Sequence, residues 1–108
     1  MKADQDLFKC FLAETDQEEI IGFASYLFTY HYWTGKALYL DDLYVTANFR
    51  GNNIGTKLLE TVITLAKQEN CKSLRWLVSD WNENAISFYQ KMGATIDKTQ
   101  ITCILNLT

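Results

Sequence analysis

No proline occurs among the 108 residues, an absence to which no function attaches. Other scarcities exclude more. The three cysteines, Cys10, Cys71 and Cys103, are odd in number, far apart and without Cys-x-x-Cys or histidine spacing. They predict neither a zinc site nor a disulfide framework, and fit buried or half-buried free thiols in a reducing cytoplasm. His31 is the single histidine, lacks a partnering pattern and reads as a loop residue. No apolar run approaches membrane-spanning length, and Met1 to Phe8 is too polar for a signal peptide. Lysine and arginine never cluster, and the formal net charge is −3, so the electrostatic footprint of a nucleic-acid binder is missing. A mildly acidic chain suits cationic small molecules such as amines.

What is present points to one small packed domain spanning residues 1–108, with 48% hydrophobic and 14% aromatic content. No linker, repeat or low-complexity segment interrupts it. Leu7 to Ala13 reads as a strand, Asp16 to Glu19 as a polar hairpin turn, and Ile20 to Phe28 as the returning strand. Tyr30 to Lys36 is an aromatic-rich connection turning at Gly35. Ala37 to Val45 is a third strand, apolar on both parities except at Asp41 and Asp42. Leu58, Leu59, Val62, Ile63 and Ala66 recur at helical spacing, predicting a helix from about Ile54 to Glu69 with Asn70 at its end. Leu74 to Val78 reads as a strand parallel to the third, joined to it by that helix. Asp80-x-x-Glu83 reads as a capping box opening a second helix, with Ala85, Phe88, Tyr89 and Met92 on one face and Gly93 as its stop. Ile96 and Ile101 to Leu107 suggest a last pair of strands.

Between the third strand and the first helix lies Arg50-Gly51-Asn52-Asn53-Ile54-Gly55-Thr56. A glycine-bearing loop entering a helix leaves backbone N–H groups unpaired and facing outward. With the positive helix end and a guanidinium, such a loop can receive a phosphate or diphosphate. It lacks the Gly-Lys-Ser/Thr ending of a nucleoside triphosphate loop and the G-x-G-x-x-G of a dinucleotide fold. By itself such a stretch is more often an ordinary strand-to-helix turn.

The loop resembles the acetyl-CoA pyrophosphate loop of the GNAT superfamily of N-acetyltransferases, Arg/Gln-x-x-Gly-x-Gly/Ala. Arg50 and Gly55 match its ends, and Asn53 replaces its middle glycine. Asn is the residue other than glycine that best tolerates positive φ. Leu38 to Val45 upstream, and Trp81 to Tyr89 followed by Gly93-Ala94 downstream, are similar to the polyamine (diamine) and thialysine acetyltransferase branch. Phe23-Ala24, Phe28-Thr29-Tyr30, Trp33 and Gly35-Lys36 fit the same branch. The resemblance runs from about Leu7 to Gly93. It implies a GNAT-like α/β fold: a mixed sheet, a central parallel strand pair and two flanking helices.

It also implies acetyl transfer from acetyl-CoA to a primary amine of a small polyamine or lysine-like molecule. An alkyl amine titrating near 10.4 is almost wholly protonated at neutral pH, and an ordinary carboxylate near 3.9 is about six units too acidic to deprotonate it. Asp41 and Asp42 are therefore assigned attraction and orientation of a cation, with the proton leaving through water; a solvated acidic pair is the alternative. Alternation lets only one of them reach the acceptor unless a bulge intervenes, and the resemblance favours Asp41.

By resemblance, the Leu43 N–H polarises the thioester carbonyl, Val45 pairs with pantetheine, and Arg50 to Thr56 hold the diphosphate. Asn82 and Ala85 are assigned to the coenzyme as well. Tyr89, seven residues after Asn82, is the implied proton donor to the leaving thiolate; on periodicity alone it could be a core aromatic beside Phe88. A phenol near 10 gives its proton to a thiolate near 8.5 uphill by roughly 2 kcal/mol, so hydrogen-bond donation precedes full transfer. Tyr26, Phe28, Tyr30 and Tyr32 share one parity. With Trp33, Trp76 and Trp81 they could line an amine channel, although aromatic strand residues more often pack in cores. No metal is implied.

Relative to the resemblance, the chain starts just before the family's second strand, so the acceptor half is expected to be incomplete. Leu7 to Ala13 would then be a sheet edge inviting a partner. The expectation is a homodimer, with a fragment of a longer coding sequence as the competing explanation. A non-catalytic acyl-CoA-binding or dimerisation module is the alternative function.

Overall fold

Phe11 and Ala13 pack inward while Leu12 and Glu14 stay exposed, the period-two signature of a half-buried strand. This is β1, Lys9–Glu14. The structure, a computed structural model, describes residues 9–107. Leu7 and Phe8, expected to begin this strand, lie outside the described residues. The chain divides into two compact units, residues 1–77 and 78–108.

In the first unit, β1 pairs antiparallel with β2, Ile20–His31, through a turn closed by the Thr15 hydroxyl, which accepts from the Gln17 and Glu19 N–H groups. The second hairpin is tighter than the aromatic connection expected from sequence. β2 continues to His31 and β3, Gly35–Val45, begins at once after Tyr32-Trp33-Thr34. Gly35 at φ +86° supplies the left-handed residue this short turn needs. His31 is thus a strand residue opposite Gly35, with Nε2 at 3.1 Å from the Thr29 hydroxyl.

Helix α1, Ile54–Gln68, follows β3. Leu58, Leu59, Val62 and Ala66 are buried on one stripe, with Ile63 partly buried beside them. They join Ala24, Tyr26, Leu38 and Leu40 in the core. Complete burial of a Leu or Val side chain contributes about 1.5–3 kcal/mol, so this stripe is what docks the helix. Asn70 closes it at φ 59° while its N–H reaches the Lys67 carbonyl and the Cys71 N–H reaches Ala66, a paired C-terminal cap.

The chain then enters β4, Ser73–Arg75, parallel to β3, completing a four-stranded sheet in the order β1-β2-β3-β4. β4 is shorter than the expected Leu74–Val78. It pairs with β3 only from Ala37 to Tyr39, although β3 runs on to Val45. The reason lies in β3. Ser25 faces Asp42, but the next β2 residue, Tyr26, faces Leu40, so Asp41 is the extra residue of a β-bulge. A bulged strand bends and twists more strongly, and the straight parallel ladder ends just before that point.

In the second unit, α2 covers Glu83–Lys91. Its cap is not the expected Asp80 box. The Asn82 side-chain oxygen accepts from the Ala85 N–H at 3.2 Å, because Asn82 stands directly before the first helical residue. The half-buried side holds Ala85, Ile86 and Tyr89, whereas Phe88 and Met92 are exposed. Gly93 ends the helix at φ +102°, as expected. The last strand pair is not observed: among the described residues, 94–107 form no regular element. Apolar composition at Ile101 to Leu107 suggested strands, but a strand needs a neighbour for its N–H and C=O groups, and among the described residues no ladder reaches this segment.

Candidate functional site

Leu38 and Leu40 point to the core, and so do Leu43 and Val45, with the switch from even to odd numbers falling at the bulge. Strict alternation would instead turn Asp42 and Tyr44 toward α1. The bulge keeps both aspartates out of the core, and Asp41 and Asp42 are exposed side by side opposite Ser25. Alternation would have let only one of them reach an acceptor, and the bulge is the exception that leaves both on the exposed side. Its signal was present in the sequence, in the apolar spacing 38, 40, 43, 45.

The bulge also decides which amides face which edge. The Lys36 carbonyl accepts the Lys72 N–H on the β4 side at 2.8 Å. Beyond the bulge, the Asp42 N–H donates to the Ser25 hydroxyl and the Thr46 N–H to the Ile21 carbonyl, both toward β2. By the alternation of an antiparallel ladder, Leu43 and Val45 turn their main-chain groups toward the other edge. Among the described residues no strand pairs with that edge past Tyr39. One group on it is occupied: the Val45 carbonyl accepts the Arg50 Nε–H at 3.0 Å.

Arg50 follows a 3-10 turn over Ala47–Phe49 that reverses the chain at the end of β3. Gly51 takes φ +86°, and the Asn52 amide donates to the Phe49 carbonyl at 3.2 Å. Asn53 adopts φ 62°, the conformation its place in the loop pattern demands. It makes no side-chain cap bond, and among the described residues none in the first turn of α1 is acidic. The Ile54, Gly55 and Thr56 N–H groups are the unpaired donors of that turn, and the positive helix end is not offset locally. A Cβ added at Gly55 would meet only the Val45 methyl at 3.8 Å, an ordinary contact. The fold's own packing therefore does not require glycine there, whereas a diphosphate approaching the N–H groups would. Loop, guanidinium and helix end fit such a group.

Trp76 leaves the β4 ladder and packs partly buried against the core. Of the aromatic stripe, Tyr26 and Phe28 belong to the core while Tyr30, Tyr32 and Trp33 are exposed. Trp81 is exposed as well. Asn82, Ala85 and Tyr89 lie together on the half-buried side of the second unit's helix, with the Tyr89 ring 5.6 Å from Phe88. Sequence reasoning missed Ser25 and Tyr44. A serine inside an apolar strand was the available sign of the first.

A four-stranded mixed sheet whose central strand bulges and parts from its parallel neighbour, with a glycine-bearing turn leading from it into a helix, places the fold in the mixed α/β class. The sequence matches the Acetyltransferase (GNAT) family over residues 2–94, and the chain belongs to that family. It is 39% identical over 97 residues to spermidine/spermine N(1)-acetyltransferase-like protein 1 of Homo sapiens, covering 84% of this chain and 14% of that protein. It is 35% identical over 98 residues to the thialysine N-epsilon-acetyltransferase of Mus musculus, covering 84% and 58% of the two chains. An integron cassette protein from the mobile metagenome of V. cholerae superposes with a TM-score of 0.82 at 27% identity, over 92% of this chain and 61% of that one. The chain thus spans less than two thirds of the length of these relatives.

Proposed function

We propose that the protein transfers acetyl from acetyl-CoA to a primary amine of a small polyamine or lysine-like substrate, with residues 1–108 working as one domain. The observation that carries this reading is Arg50, fixed at the end of β3 beside the uncapped start of α1 and the strand edge of Leu43 and Val45. The names of the human and mouse relatives point to the same substrate class.

In this reading Arg50 and the Gly51 to Thr56 turn hold the diphosphate. The Leu43 N–H steadies charge developing on the thioester oxygen. The Val45 N–H, its carbonyl already engaged, pairs with the pantetheine arm. Asn82 and Ala85 line the coenzyme, and Trp76 borders the acceptor. Asp41 and Asp42 draw in the cationic amine, which loses a proton to water before its nitrogen attacks the thioester carbon. The C–S bond breaks as the Tyr89 hydroxyl gives its proton to the departing sulfur, and the second proton of the attacking nitrogen leaves through water, which returns a proton to the Tyr89 phenolate. A thiol-release assay with acetyl-CoA against diamines, polyamines, lysine analogues and peptides tests the assignment. Coenzyme binding without thiol release for any amine would replace it with a non-catalytic acyl-CoA-binding module.

The working form in this reading is a homodimer. Support comes from the outer edge of β1, which no described strand pairs, and from Ile101, Ile104, Leu105 and Leu107, each at least 77% exposed. Light scattering on dilution tests this, and a stable active monomer would refute it. The free thiols of Cys10, Cys71 and exposed Cys103 suit a cytoplasmic setting. Secretion of a fluorescent fusion would contradict that placement. Among the described residues, no helix is long and apolar enough to cross a membrane.

A further inference from the structure

Arg50 is exposed, yet it is not loose. Its Nε–H is bound to the Val45 carbonyl at 3.0 Å, and its guanidinium carbon stands 5.6 Å from the centre of the Tyr44 ring. That is within the range in which a ring face attracts a cation. The ring is itself braced. Phe23, directly across the β2–β3 ladder, lies 6.0 Å away at 36°. Tyr44 reaches this place because of the bulge, which turns it away from the helix-packed face and leaves it 46% exposed.

We propose that Tyr44 is a positioning residue for the coenzyme, holding the Arg50 guanidinium so that its outer N–H groups face a diphosphate. The proposal rests on the phosphate-loop reading given above. A guanidinium has five N–H donors in a planar fork. With Nε spent on Val45 and the guanidinium carbon kept 5.6 Å from the centre of the Tyr44 ring, the terminal NH₂ groups are left in a restricted direction. An arginine fixed beforehand loses less freedom on binding than one that must be ordered by its ligand. Tyr44 touches neither the reacting atoms nor the diphosphate; it acts through Arg50.

The test uses two donors, acetyl-CoA and acetyl-pantetheine, which carries the thioester but no diphosphate. Affinity for the first is measured by calorimetry and for the second by titration of amide NMR shifts. Tyr44→Leu should weaken acetyl-CoA binding about two- to fivefold, the size of an exposed cation–ring contact. Tyr44→Phe should retain it, because the ring and not the hydroxyl does the holding. Acetyl-pantetheine binding should not change in either variant. Arg50→Ala, which removes the cation altogether, should lose acetyl-CoA affinity, and Tyr44→Leu added to it should lose nothing further. Equal weakening of both donors by Tyr44→Leu, or a full additional loss in the Arg50→Ala background, would overturn the proposal. So would unchanged affinity in Tyr44→Leu where Arg50→Ala weakens acetyl-CoA. If Arg50→Ala leaves acetyl-CoA binding intact, the phosphate-loop reading fails first and this inference with it.

Discussion

The main-chain N–H of Asp42 donates to the hydroxyl oxygen of Ser25 at 3.1 Å, across the point where the β2–β3 register slips. Ser25 is 6% exposed, so its polar atom sits where the ladder would otherwise have an apolar neighbour. A buried hydroxyl here serves as acceptor for an amide that the bulge displaces from a regular ladder position.

Replacing that hydroxyl should cost stability and not the fold. Ser25→Ala removes one hydrogen bond from a partly buried amide, worth about 1 kcal/mol. Urea unfolding should show that loss with an unchanged m-value. A stability equal to the parent protein would mean that water serves the Asp42 N–H as well as Ser25 does.

Gly55→Val separates folding from binding. The Val45 methyl at 3.8 Å leaves room for the new Cβ, so stability should stay within about 1 kcal/mol of the parent. Acetyl-CoA affinity, measured by calorimetry, should fall because the side chain enters the space of the diphosphate. Unaltered affinity would remove Gly55 from the coenzyme site.

Tyr89→Phe removes the donor needed as charge develops on the leaving sulfur. Turnover should drop by about tenfold to ten-thousandfold, the range for a positioned proton donor, with coenzyme affinity kept. Steady-state kinetics on a diamine, alongside a binding titration, reads both quantities. A parent-like turnover would return Tyr89 to a packing role beside Phe88.

Asp41→Asn and Asp42→Asn should act in the same direction. Both carboxylates stand exposed at the bulge, so each change should raise KM for a diamine more than for an amine with a neutral tail. If Asp42→Asn leaves both substrates alone, the bulge has aimed only Asp41 at the acceptor.

Tyr26 links the core to alkaline pH. Its phenol is pushed above its ordinary value, first by burial and then by the nearby Cys10 and Glu69 charges. The folded state therefore holds the proton more tightly than the unfolded chain. This contribution is complete below about pH 10 and is lost as pH rises through the higher folded value. Tyr26→Phe should flatten the fall in stability above pH 10 in urea unfolding at graded pH. An identical fall in the variant would assign it to other groups.

The sequence alone determined the elements whose pattern is local. The stripe from Leu58 to Ala66 specified α1, and Asn70 and Gly93 marked helix ends, because periodicity and left-handed tolerance are properties of a few neighbouring residues. Asn53 was legible in the same way, since only its own φ was in question. Tertiary structure decided the rest. The bulge at Asp41, the early end of β4 at Arg75 and the unpaired state of Ile101–Leu107 all depend on which backbone lies alongside. The seating of Arg50 between Tyr44 and Val45 depends on the same thing. A strand's hydrogen bonds are made with residues distant in sequence, so its length, register and free edge are settled only when the partner is in place.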